Sequence, residues 1–317
     1  MAAAAPSPTS LRMRAAALSL AVGALLLGLK LVAWMLTGST AVLSDALESI
    51  VNVIAAGFAV YSVYLSRKPP DLDHPYGHGK IEFLSAGFEG GLIFVAGGLI
   101  IYEATRRLVV GVALARLSEG IGLVLFAAAV NLVLGLYLIR TGKKTHSLTL
   151  VADGKHLLTD VYTSAATGAA LGTVLLTGWS WIDPAFAIVA ALNILRIGFG
   201  LMREAVGGIM DEADPEDLKV VAEALASLDD PLFVGWSQLR SRHQGALHHV
   251  DLTVYVPDET AVASGHALAD RVERTIASAL GEAEVICHVE PESLRRRLDE
   301  ALAVRPRAEG QAHGAGP

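Results

Sequence analysis

The chain has 317 residues, 53% of them hydrophobic, with a mean hydropathy of +0.48 and a formal net charge of −7. It is too apolar for an ordinary soluble globular protein, and the negative balance argues against nucleic acid as a partner. A single cysteine, Cys287, excludes an intramolecular disulfide framework; without a Cys-x-x-Cys motif, a thiolate-only zinc site is excluded as well.

Residues 1–12 are rich in Ala, Pro and Ser and are expected to be disordered. Arg12 and Arg14 flank an apolar run from Ala15 to Leu36. That run exceeds the roughly 7–15 residues of a signal-peptide core and suits a bilayer span of about 20, so a retained helix is expected over Met13–Leu36. Further spans are expected over Ala41–Leu65, Phe83–Tyr102, Ile121–Ile139, Leu148–Leu176 and Pro184–Met202. The tryptophan-rich turn Gly178-Trp179-Ser180-Trp181 suits a membrane interface. The expectation is therefore an all-α six-helix transmembrane bundle over residues 13–210, set in a lipid bilayer as a multi-pass protein of the cell membrane. Arg12, Arg14, Arg67, Lys68, Lys80, Arg140, Lys143, Lys144 and Arg203 fall on one side of it, against Arg106, Arg107 and Arg116 on the other. The positive-inside rule then puts both termini in the cytoplasm.

Beyond Met210 the pattern changes. Asp214-Pro215-Glu216 is a helix start, with a capping Asp, Pro in the first turn and acids at the positive end of the dipole. Leu218, Val221, Ala222, Leu225 and Leu228 then make a helical stripe. Strands are expected over Val234–Arg240, Leu247–Val256 and Glu284–Val289, with a helix over Val262–Leu280. The order αββαβ predicts a ferredoxin-like α+β cytoplasmic domain over residues 211–292. Its core is thin enough for homodimerisation to help it. Residues 293–317 are expected to be a helical turn and a disordered tail.

The chemistry sits on the second and fifth spans. Asp45, Glu48 and Asn52 recur at helical spacing, and so do Asp153, His156 and Asp160. A charged acid at mid-bilayer costs about 2.5–3.5 kcal/mol on insertion scales, so such groups need each other, water or a cation. One reading is that they cap or bond neighbouring helices, which suits Asp45 and Asp153 best. The other is a cation site: His156 and Asp160, four apart, reach one metal, and Glu48 and Asn52 do so from the facing helix. Ionised Glu48 and Asp160 with neutral His156 give −2, matching a divalent ion. Asn52 cannot titrate, which leaves proton exchange to His156, Glu48 and Asp160. Glu82 and Glu89 share a face of the third span, lining water or pairing with Arg or Lys. Asn131, Asn193 and Arg196 read as packing or snorkelling residues, and Gly87, Gly90, Gly91, Gly97 and Gly98 as positions of close helix approach.

The chain resembles the cation diffusion facilitator family over about residues 13–292. The resemblance rests on the six spans and the cytoplasmic domain, on His156-Leu-Leu-Thr-Asp160 and on the loop Asp71-Leu-Asp-His-Pro-Tyr-Gly-His-Gly-Lys80, whose His-Pro-x-Gly-His-Gly-Lys core is specific. It implies export of divalent transition metals by proton antiport, and no enzymatic activity. Zn2+ is the first expected substrate, with Fe2+ and Mn2+ as alternatives and the metal also a candidate regulatory ligand. The fifth-span ligand pair carries over to His156 and Asp160. The second-span pair, usually His or Asp followed four residues later by Asp, reads Glu48 and Asn52; fewer nitrogens and a neutral amide favour harder ions. The loop implies a second metal site at Asp71, His74 and His78, its alternative being a turn held by Gly77 and Gly79. Lys80 and Asp211 match positions where the family ties bundle to cytoplasmic domain. A third, cytoplasmic site retains His266, His288 and Glu290, while two of its histidines fall on Ser237 and Thr253. His243, His248 and His249 are then read either as replacements for those ligands or as inert surface histidines near a strand, the latter favoured, and Cys287 as a structural thiol or a further ligand. A membrane sensor or scaffold that binds metal without transport is the rival reading. An intramembrane metalloenzyme is disfavoured because His-Glu-x-x-His is absent.

Overall fold

The computed structural model describes residues 8–37, 40–110, 121–177 and 181–296. Residues 38–39, 111–120 and 178–180, the start of the tryptophan-rich turn among them, lie outside that description, as do residues 1–7 and 297–317. The chain forms two compact units: the first runs to Asp211, and the second takes Glu212–His243 and continues from Leu247.

The first unit holds α1 (Pro8–Thr37), α2 (Thr40–Leu65), α3 (Ile81–Val110), α4 (Ile121–Lys144), α5 (Leu148–Thr177) and α6 (Ile182–Ile209). Four helices overrun the expected spans by five residues or more, α4 continuing to Lys144 and α6 to Ile209. The first starts at Pro8, because proline is well accommodated in an opening turn. The third continues past Arg106-Arg107 to Val110, because charge ends an apolar span without ending a helix; Glu103 even pairs with Arg106 at 3.2 Å. Among the described residues, four helical stretches are long and apolar enough to cross a membrane: Ser10–Val32, Ile81–Arg106, Phe126–Lys144 and Pro184–Ile209. Helix α2 contributes the shorter apolar stretch Ser49–Leu65.

The helices pack mainly as α1 with α2, α3 with α6 and α4 with α5. Glycine sets the last two approaches. A Cβ at Gly90 would meet Gly198 O at 3.0 Å, and one at Gly154 would meet Gly135 O at 2.7 Å. Of the glycines expected at close approaches, Gly91 and Gly98 instead face open space. Ala15, Val63, Leu138, Leu150 and Leu157 form one buried apolar cluster, and Ala86, Ile93, Ala152, Ile194 and Leu201 another.

The second unit holds α7 (Pro215–Ala226), β1 (Gly235–Gln244), β2 (Leu247–Val256), α8 (Val262–Leu280) and β3 (Ala283–Pro291), the expected αββαβ order. Asp214 caps α7 by accepting from Glu216 N at 2.8 Å. The sheet order is β1-β2-β3, with β2 and β3 parallel and a hairpin through Gly245 (φ 65°) joining β1 to β2. Central β2 is covered on both faces. Val250, Leu252, Val254 and Val256 meet Val221, Leu225, Leu268, Val272 and Ile276, while His249, Thr253 and Tyr255 are buried opposite. Residues 292–296 add one helical turn.

Candidate metal centre

Helices α2 and α5 bring their polar stripes together. Asn52 Nδ2 donates to Asp160 Oδ2 at 2.9 Å, and Asn52 Oδ1 lies 2.9 Å from His156 Nε2. An amide oxygen only accepts, so in this arrangement His156 donates from Nε2. The side chains of Asp45 and Glu48 lie outside the described residues, although both positions are helical in α2.

Helix α4 supplies a partner that the sequence reading assigned to packing: Asn131 Nδ2 donates to the same Asp160 Oδ2 at 3.3 Å. Its only sequence signal was an amide within the apolar stretch that precedes Arg140. Asn193 and Arg196 bond each other on an exposed face at 3.3 Å. Lys30 of α1, also unremarked in the sequence, is buried and donates to Ser49 at 2.7 Å.

The acids of the third span divide. Glu82 accepts from Ser147 Oγ at 2.5 Å and lies 4.0 Å from Arg12. Glu89 is fully buried, with neither carboxylate oxygen hydrogen-bonded, and interacts electrostatically with Asp153, itself buried. Asp153 sits one turn before His156, so the polar track extends from the Asn52–His156–Asp160 cluster toward α3.

In the loop between α2 and α3, Asp71, His74 and His78 converge. Asp71 Oδ1 accepts from the backbone N–H groups of His74 (2.7 Å) and Asp73 (3.1 Å). It lies 3.2 Å from His74 Nδ1, while Oδ2 lies 3.4 Å from His78 Nε2. The His74 backbone bond, helped by both imidazoles, holds the Asp71 carboxyl below the ordinary carboxylate range. Gly77 adopts φ 87°, where a Cβ would be strained, and its N–H closes the turn on His74 O at 2.8 Å. The capped turn and the cluster of Asp71, His74 and His78 are thus one structure. Lys80 pairs with Asp211 at 2.9 Å and donates to Ile209 O at 3.3 Å, within the first unit.

In the second unit His288 Nε2 lies 2.7 Å from Glu290 Oε1, but His266 is exposed on α8 and contacts Asp270 at 3.8 Å. Thr253 sits in register with His288, and Ser237 is engaged with Tyr255 Oη at 2.8 Å. Burial, with Glu273 adding to it, pushes the Cys287 thiol up to about 12, which disfavours a ligating thiolate. The expectation of surface histidines fails for His248 and His249, which are 3% and 7% exposed because central β2 is covered on both faces. His243 and His248 instead converge on Asp217. Burial alone would raise the Asp217 carboxyl, but the two imidazoles outweigh it and leave it well below the ordinary range. The same contact raises the His243 imidazole against the effect of burial.

Residues 16–210 match the family model described as the cation efflux transmembrane domain, and residues 213–292 match the cytoplasmic domain of cation efflux proteins. An uncharacterized transporter of Synechocystis is 37% identical over 86% of this chain and 88% of its own length. The cation-efflux pump FieF of Yersinia pestis is 31% identical over 88% of this chain and 93% of its own, and that of Shewanella oneidensis 28% identical over 86% and 92%.

Proposed function

Because the chain belongs to the cation efflux family, the cation diffusion facilitators, and is a transporter rather than an enzyme, we propose that it exports divalent transition-metal ions from the cytoplasm by proton antiport. Zn2+ is the first substrate, with Fe2+ and Mn2+ as alternatives. The observation that carries this reading is the direct contact of Asn52, His156 and Asp160 across α2 and α5. Glu48 completes the ligand set, and its charge with that of Asp160 balances a divalent ion.

The hydrogen bonds suggest how protons couple to metal. His156 Nε2 donates a proton to Asn52 in the arrangement described above, and a metal needs the lone pair on that same nitrogen. Metal and proton therefore compete for one atom. Cytoplasmic metal displaces the proton; an incoming proton releases metal outward. Transport follows if the bundle alternates between two openings whose affinities for metal differ. The bundle would have six spans with both termini in the cytoplasm, supported by the six long helices and the basic residues listed above. The second unit would serve homodimerisation, and Asp71, His74 and His78 would hold a second metal ion.

The test is metal uptake into proteoliposomes under an imposed pH gradient, with Zn2+, Fe2+ and Mn2+ compared. Asp160→Ala should abolish flux, while Asn52→Asp and Glu48→His should shift preference toward Zn2+. Unaltered flux in Asp160→Ala would overturn the site. Metal binding without proton-dependent flux in the wild type would instead mark a sensor.

A further inference from the structure

The second unit carries a cluster that the transport reading leaves unused. Asp217 comes from the first turn of α7, His243 from the end of β1 and His248 from the start of β2. Asp217 Oδ2 lies 2.7 Å from His243 Nε2, 2.8 Å from His248 Nδ1 and 3.3 Å from Ser241 Oγ. The imidazole centroids are 4.4 Å apart with the rings tilted at 56°. Asp217 and His248 are buried and His243 is half-buried.

A carboxylate shared by two imidazoles could be a plain hydrogen-bonded latch. One contact does not fit that description. His243 Nε2 is buried and close to the carboxylate oxygen, yet it makes no hydrogen bond of acceptable direction. A ring nitrogen's proton and lone pair share one direction, so this nitrogen aims beside the oxygen rather than at it. The three ligand atoms lie within 4.8 Å of one another. Zinc bonds of about 2.0–2.2 Å in a tetrahedron separate ligand atoms by roughly 3.3–3.5 Å, so modest side-chain rotation opens the cluster around an ion.

We propose that Asp217, His243 and His248 form a metal site for Zn2+ or a similar divalent transition ion, clamping α7 to the β1–β2 hairpin. Two imidazoles and one carboxylate are a donor set that Zn2+ accepts, and water or Ser241 Oγ takes the fourth position. Asp214, which interacts electrostatically with His243, adds negative charge nearby. The site shares no residue with Asn52–His156–Asp160, with the Asp71 loop or with His288–Glu290. It does not depend on which ion is transported.

The experiment uses the full chain in detergent, stripped with chelator, dialysed against buffered Zn2+ and assayed for zinc per chain. His243→Ala and Asp217→Asn should each retain one equivalent fewer than the wild type. Asp160→Ala should lose a different equivalent, so that Asp160→Ala with His243→Ala loses two. Wild-type zinc content in both His243→Ala and Asp217→Asn would overturn the proposal. If either variant unfolds by circular dichroism, zinc-edge anomalous scattering from zinc-saturated wild-type crystals decides. A peak among the three side chains supports the site, and none there refutes it.

Discussion

Asn52 uses both ends of one amide, accepting from His156 and donating to Asp160, so it joins the fifth-span pair without carrying charge. A carboxylate in its place loses the donor and adds a second anion beside Asp160. That is why Asn52→Asp should change ion preference and not merely weaken binding. Cys287 shows the reverse influence of surroundings. With its thiol held at about 12 by burial and Glu273, it stays protonated at neutral pH. Iodoacetamide should therefore label native Cys287 at least tenfold more slowly than the denatured chain at pH 8. Equal rates would show that the thiol is not held in this way.

At the scale of elements, glycine contacts fix which helices can approach. Gly154→Val would place a Cβ 2.7 Å from Gly135 O and 2.8 Å from Ile139 Cγ1. Overpacking of this kind costs about 1–3 kcal/mol, so the variant should melt several degrees lower in detergent and lose much of its flux. The bounds of α8 and β2 were legible in the sequence, because strong periodicity is bracketed there by turn residues. The ends of α1 and α3 were not, because proline and arginine end an apolar run without ending a helix. Periodicity also assigns a residue to a face without naming what it meets. Asn131 and Asp217 were missed for that reason: each partner comes from a different element and depends on how the elements pack.

Across the whole molecule, the two units rest on different physics. The second buries Val221, Leu268, Val272 and Ile276 against β2 and depends on the hydrophobic effect in water. Leu268→Ala should cost it about 2–5 kcal/mol, read by denaturant unfolding of the full chain through tryptophan fluorescence at Trp236. The first unit gains little from apolar burial in lipid and depends instead on close backbone approach and polar contacts. The loop cluster at Asp71 was legible because a local motif supplies all its members. The centre on α2 and α5 was legible only as two stripes, and its third helix had to be seen.

That third helix bears on how the protein is made. Helices α4 and α5 are joined by the short link Thr145–Ser147, and Asn131 of the first bonds Asp160 of the second. The pair can thus leave the insertion machinery as a hairpin whose Asp160 carboxylate already has a donor, before α2 packs against it. Biogenesis and ion chemistry then draw on one contact. Asn131→Leu should lower the yield of membrane-integrated protein several-fold and, with flux normalised to inserted protein, should also lower turnover, because Asp160 loses one of its donors.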